Sequence, residues 1–326
     1  MKYRRLGKSD LSVSEIGFGA WSIALDWWGR AIPEAESRQM LKTAYDVGIN
    51  FFETADMYGA GKSERLIGES LGEVRDQIVI STKYGYDFVG VKQIGHAELP
   101  QRFDPKFTKK ALQASLDRLR TDHVDVYGMH NPKMRHLRDD QSLACLDDMV
   151  RKQKVGALQV ALGPAIGWEA EGIEAMNISN VTAVQTVYNI LEQTPGNALI
   201  KAGAERDVGI LSRVPDASGI LTGKITADTV LPKNDHRRDR KIKWRREALK
   251  KVEELRPIAE QNDLSITEMA IKFILSKGIV SVLPTVTSVE EVREMAAISD
   301  GVYIPVADMK EISRIYASWP SYALKV

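Results

Sequence analysis

The feature that most limits how this chain can fold is a rhythm. Eight short apolar, β-branched runs start about every 25 to 45 residues, with one larger gap before the last, and amphipathic stretches lie between them. The runs are Ser14 to Phe18, Asn50 to Thr54, Ile78 to Thr82, Val124 to Met129, Ala157 to Ala161, Ala183 to Val187, Gly209 to Arg213 and Val280 to Leu283. Several are continuously apolar, as in Ile78-Val79-Ile80, which suits strands covered on both faces. The intervening segments Glu36 to Asp46, Ser63 to Leu71, Lys109 to Leu119, Leu143 to Lys152 and Ile266 to Leu275 carry apolar residues at three- and four-residue steps, as Leu112, Leu116 and Leu119 illustrate. Eight βα units in 326 residues favour a closed (β/α)8 TIM-type barrel over an open doubly wound sheet. Ahead of them, Lys2 to Leu6 and Leu11 to Glu15 flank the turn-rich Gly7-Lys8-Ser9-Asp10, an N-terminal β-hairpin able to cover the barrel floor. No Pro- or Ser-rich linker divides the chain, so a single domain is expected over 1–326.

Composition narrows the function. Lys plus Arg is 45 and Asp plus Glu 44, so no global charge calls for nucleic acid or an anionic membrane. The longest apolar runs fall far short of the roughly 20 residues a membrane span needs, and the first residues lack a signal-peptide core. One cysteine, Cys145, excludes an internal disulfide framework and a thiolate metal cluster, and fits a cytoplasmic location. Known ligand motifs fail. Gly61-Lys62-Ser63 has Asp56 where a P-loop needs glycine, and Gly17-Phe18-Gly19 has Ser22 where the dinucleotide fingerprint needs its third glycine. The histidines at 96, 123, 130, 136 and 236 form no metal-binding pair, so no metal is expected.

Two long loops follow strands, Tyr84 to Pro105 and Thr226 to Lys241, on the face where barrels bind ligands. The second runs into the basic stretch Lys233 to Lys251, which suits either a solvated surface or a clamp on ligand phosphates. Four polar residues stand at or just past the C-terminal ends of strands two to four: Glu53, Tyr58, Lys83 and His130. A lysine closing an apolar run is costly to bury unless paired, and Glu53 on the neighbouring strand is its natural partner. Lysine beside the Tyr58 phenol is expected to lower its pKa, and His130 can hydrogen-bond the same substrate oxygen. The set suits protonation of a carbonyl oxygen as hydride reaches its carbon.

These residues lie in segments that resemble the signatures of the aldo-keto reductase superfamily. They are Phe51-Phe52-Glu53-Thr54-Ala55-Asp56-Met57-Tyr58-Gly59, Ser81-Thr82-Lys83-Tyr84-Gly85, Asp125-Val126-Tyr127-Gly128-Met129-His130, Val184-Gln185-Thr186-Val187-Tyr188-Asn189 and Gly219-Ile220-Leu221-Thr222-Gly223-Lys224. The resemblance implies an NAD(P)-dependent oxidoreductase moving hydride to or from a small carbonyl, alcohol or sugar. In it Tyr58 is the general acid, Lys83 and Glu53 tune it, and His130 orients the carbonyl. The dinucleotide would follow Gly19, Gln185, Arg213, Gly219, Leu221, Lys224, Thr287, Ser288 and Glu291.

Departures are equally specific. Glu53 replaces the usual Asp, Ala161-Leu162 the Ser-Asn pair that holds the nicotinamide carboxamide, and Arg213 the aromatic that stacks under the ring. Thr287, Glu291 and Met295 replace the basic residue, Gln and Asn of the adenosine site, and Glu290 and Glu291 would repel a 2′-phosphate. The expected cofactor is therefore NAD(H) or NADP(H), leaning to NAD(H). Lys224 could reach the pyrophosphate, Gln185 remains as a carboxamide partner, and Arg237 or Arg238 could supply cations from the loop above. Trp21, Trp27 and Trp28 are placed to line the substrate mouth. Two other readings stay open: a nucleotide-binding sensor or subunit with little turnover, and redox-neutral sugar chemistry on a bound nicotinamide. Substrate identity and oligomeric state are not fixed by the sequence.

Overall fold

The computed structural model describes residues 1–91, 99–163 and 167–319, with the Asp239 side chain left out. The hairpin is present as β1 (Tyr3–Arg5) and β2 (Ser12–Ser14), paired antiparallel. Eight parallel strands follow: β3 (Phe18–Gly19), β4 (Phe51–Glu53), β5 (Val79–Tyr84), β6 (Val124–His130), β7 (Val155–Ala161), β8 (Val181–Val187), β9 (Gly209–Arg213) and β10 (Ser281–Leu283). They pair in chain order, and an Ile16–Val282 bridge joins the first unit to the last, closing the barrel.

The first expected strand, Ser14 to Phe18, is displaced. Ser14 belongs to β2, and the barrel strand is Phe18–Gly19, with Ile16 between them making only the closing bridge. Alternation misled there because hairpin strand and barrel strand are nearly contiguous, with only Glu15, Ile16 and Gly17 between them. Most of the other edges move by one or two residues, while β9 keeps its expected span. The five expected helices are found at Glu34–Asp46, Lys62–Leu71, Pro105–Leu119, Asp140–Arg151 and Ile266–Ser276. Pro105 at the first turn and the Asp104 carboxylate accepting from Phe107 N at 3.0 Å start the third of these, and a reciprocal Ser265–Glu268 capping box starts the last.

Side chains of one parity point into the barrel. The lowest layer holds Phe51, Val79, Val126, Ala183, Leu211, Val280 and Leu283, closed from below by Leu6 and Val13 of the hairpin. A Cβ on Gly7, whose φ is +53°, would lie 2.1 Å from the Thr182 carbonyl, so only glycine lets the turn press against that floor. One step higher the interior turns polar: Gln159 crosses to Ser81 Oγ at 2.6 Å, over Gly128, where a Cβ would meet Gln159 Cγ at 2.6 Å. The same parity carries Glu53, Lys83, His130, Gln185 and Arg213 at the C-terminal ends of their strands, which places them at the mouth.

On the opposite side, buried Glu15 accepts from Arg4, Ser299 and Tyr303, tying the chain's first residues to its last helical segments. Within the loop after β5, the described parts make a Tyr86–Gln101 bridge; its middle, with His96, lies outside the described residues. The 226–241 loop is not merely a solvated surface. Asn234 donates to the Asp26 carbonyl at 2.9 Å, His236 N to the Trp27 carbonyl at 2.8 Å, and the Arg237 guanidinium lies over the Trp28 ring. A helix, Ile242–Gln261, takes up the rest of the basic stretch.

Candidate functional site

At the mouth the structure brings together the four residues expected from strands two to four. Lys83, fully buried, donates to Glu53 Oε1 and, at 2.5 Å, to the Thr54 carbonyl. The extra methylene of Glu53 therefore leaves the ion pair intact, and it also lets the carboxylate accept from Gln185 Nε2 at 2.9 Å. Gln185 is thus committed to Glu53, rather than standing as a free carboxamide partner. Asp56, three residues on, does not replace Glu53: its amide donates to the Lys83 carbonyl, and its carboxyl is held well above the carboxylate range by burial and by the nearby Glu64 charge.

Tyr58 is half-buried, with the Lys83 ammonium 5.0 Å from its ring centroid. The expected lowering of its pKa is reversed. Burial and the Glu53 charge push the phenol well above its usual value, against a smaller pull from Arg213, because Lys83 faces the ring and hydrogen-bonds elsewhere. The phenol is consequently fully protonated at neutral pH. His130 packs edge-on between Tyr58 and Tyr86, with centroids 5.9 and 5.2 Å away. Burial, then the charges of Lys83 and Arg213, hold the imidazole well below its usual pKa, so it is neutral, and its Nδ1 has no partner. Tyr86 was not singled out from sequence, since a loop aromatic there carries no periodic signal. It reaches the mouth because its loop folds back, with Asn131 donating to its hydroxyl at 2.8 Å.

Arg213 projects from the end of β9 and donates from Nη2 to the Leu162 carbonyl at 2.6 Å, while its buried Nε lacks an acceptor. Trp21 and Trp28 pack edge to face, with Trp21 Nε1 3.2 Å from Thr285 Oγ1. Gly19 pairs with Glu53 below them.

Of the remaining expected residues, Leu221, Lys224 and Glu291 line a cavity of about 380 Å³ beside the mouth, together with Asp216, Thr285 and Met295 among others. Lys224 is not extended toward a phosphate; it pairs with Glu291 Oε1 at 2.8 Å. Glu291 Oε2 accepts from Thr287 N at 2.8 Å and Thr287 Oγ1 at 3.0 Å. Ser288 caps the helix Val289–Ala297 by accepting from Glu291 N. Gly219 has φ +86° and lies against Arg237, which pairs with Asp235 rather than approaching Thr287. Asp216, unforeseen because it follows a proline in an irregular turn, presents a carboxyl whose Oδ1 has no partner. Among the described residues no group of three or more side chains is arranged to hold a metal ion, and no helix is long and apolar enough to cross a membrane.

A closed parallel barrel with a polar mouth, a half-buried guanidinium and an adjoining cavity of about 380 Å³ has the architecture of a barrel enzyme. More narrowly, the chain belongs to the aldo/keto reductase family, whose pattern matches residues 15–317. It is 29% identical over 313 residues to the NADH-specific methylglyoxal reductase of Escherichia coli (strain K12), covering 91% of this chain and 93% of that protein. It is 27% identical over 339 residues to a probable voltage-gated potassium channel subunit beta of Oryza sativa subsp. japonica, covering 97% and 96%. In fold it is similar to the glycerol dehydrogenase of Gluconobacter oxydans, with TM-score 0.82, 24% identity and coverage of 97% of this chain and 95% of that one. An aldo-keto reductase of Bacillus halodurans in its holo form gives TM-score 0.79 at 24% identity, covering 97% and 96%. The chain is therefore an oxidoreductase of a family that uses NAD(P)H to reduce carbonyls.

Proposed function

We propose that this enzyme, working as one domain in the cytoplasm, reduces a small polar carbonyl compound, a reactive aldehyde or a sugar, with NADH as the preferred donor. The observation that carries the reading is the Tyr58, Lys83, Glu53 and His130 cluster at the barrel mouth, beside a cavity of about 380 Å³. When bound, the reduced nicotinamide supplies the hydride. Tyr58, protonated throughout the neutral range, gives its proton to the carbonyl oxygen as negative charge develops there. Neutral His130 directs a ring N–H at the same oxygen, the Arg213 charge favours the phenolate left behind, and Lys83, held by Glu53, lies against the face of the Tyr58 ring. Trp21 and Trp28 wall the mouth against water.

Preference for NADH is supported by Glu291. Its carboxylate occupies the ground between Thr287 and Lys224, so a 2′-phosphate would meet a negative charge whose own cation is already engaged. The NADH specificity in the name of the Escherichia coli relative agrees. The test follows NADH consumption with methylglyoxal and a panel of aldoses. Tyr58→Phe is expected to lower turnover by about 10² to 10⁴ while leaving NADH affinity unchanged. Near wild-type turnover removes Tyr58 from the chemistry, and NADPH binding more tightly than NADH overturns the cofactor preference. The channel-subunit relative motivates a second reading, nucleotide binding with little turnover. Tight NADH binding without consumption of any carbonyl would favour it.

A further inference from the structure

Arg213 is a half-buried cation that the folded chain leaves incompletely satisfied. Its Nη2 is fixed on the Leu162 carbonyl, its Nε is a buried donor with no acceptor, and no carboxylate among the described residues stands within ion-pair distance of it. The neighbouring strand ends offer no remedy. Ala161 and Leu162 have apolar side chains, and Gln185 is turned toward Glu53. Retaining such a group has a cost unless a ligand supplies the missing acceptor. Its charge is felt at Tyr58, Lys83 and His130, so the ligand that meets it lies at the reacting end of the mouth.

We propose that Arg213 is the positioning residue for the nicotinamide, donating from Nε to the carboxamide oxygen, and that its uncompensated charge makes the site favour the reduced over the oxidised dinucleotide. This rests on the nicotinamide reading above. Hydride must reach the carbon whose oxygen Tyr58 protonates, which brings the nicotinamide ring into the same mouth as the guanidinium. The dihydropyridine ring is neutral and the pyridinium ring is cationic, so a nearby fixed positive charge penalises only the second. The carboxamide oxygen, a neutral acceptor, satisfies Nε in both states.

Equilibrium titrations followed by tryptophan fluorescence test this with NADH, NAD⁺ and ADP-ribose, which lacks the nicotinamide. Wild type is expected to bind NADH about tenfold or more tightly than NAD⁺. Arg213→Met should collapse that ratio toward unity, weakening NADH and strengthening NAD⁺, with ADP-ribose affinity unchanged. Arg213→Lys should keep the ratio, which needs only charge, while loosening NADH because the planar fork is lost. An unchanged NADH to NAD⁺ ratio in Arg213→Met, with ADP-ribose still bound, overturns the inference and leaves the proposed function standing. So does a variant whose only defect is weaker saturation by anionic oxo acids than by neutral aldehydes, which would assign the guanidinium to the substrate. Failure of wild type to bind any of the three nucleotides overturns both readings.

Discussion

Replacing Asp216 by Asn should change how the stability of the protein depends on pH. Asp216 sits in a turn where Val214, Ala217 and Ser218 take φ of +55°, +48° and +58°, and its side chain lines the cavity beside the mouth. Burial pushes its carboxyl from 3.8 up to about 6, against the backbone amides of Asp216 and Gly219, the Arg237 charge and the Ser218 amide, all of which favour the ionised form. The folded-state pKa is raised, so the native chain holds the proton more tightly than the unfolded chain. That contribution is complete below 3.8 and is lost as pH rises through about 6. A rise of about two pKa units corresponds to about 3 kcal/mol, and the partial exposure of Asp216 to solvent reduces this to about 1–3 kcal/mol. Asn is neutral throughout, so urea unfolding should show the variant gaining that amount relative to wild type between about pH 4 and pH 8. A constant offset between the two curves would refute the reasoning, because a lost or altered hydrogen bond shifts both ends equally. On the proposed reading the same carboxyl adds a negative charge to the wall of the nucleotide cavity, which Lys224, Glu268, Glu291 and Glu294 also line. Affinity for NADH should therefore weaken above about pH 6 in wild type and stay flat in Asp216→Asn.

Lys83→Met removes the only cation bonded to Glu53 among the described residues. It should lower turnover by at least about 10²-fold and destabilise the fold by about 3 kcal/mol at neutral pH; equal thermal stability at pH 7 and full activity would contradict this. His130 is held neutral in the fold, so the unfolded state binds the extra proton and stability is lost as pH falls below about 6.5. His130→Gln should flatten that loss by up to about 1.4 kcal/mol per pH unit in urea titrations, and an unchanged acid slope would show that other groups set it.

Much of the barrel was legible because both of its periodicities are strong. Apolar runs such as Ile78-Val79-Ile80 have no other use in a chain of this kind, and the parity that buries Val79 also sends Lys83 to the mouth. The Lys83–Glu53 pair could be foreseen from the cost of burying either charge alone. What sequence could not supply was direction. Lys83 being near Tyr58 suggested a lowered phenol pKa, but the sign depended on whether the ammonium faced the hydroxyl or the ring, and a rotamer decides that. Gln185 and Lys224 are the expected residues at expected positions, yet each had a closer partner, Glu53 and Glu291, brought near only by tertiary packing. Tyr86 and Asp216 lie in irregular segments where no period marks them.

The join between Ile16 and Val282, reinforced by Glu15 holding Ser299 and Tyr303, has a consequence for biosynthesis. The ring is sealed between the first strand unit of the barrel and the last, 266 residues apart along the chain. Until β10 emerges, β3 and β9 remain as open parallel edges, and the polar mouth has no complete wall around it. A nascent chain must keep those edges from pairing with other chains for as long as the barrel's strands are still being made. The site can take its final form only after the last strand has left the ribosome.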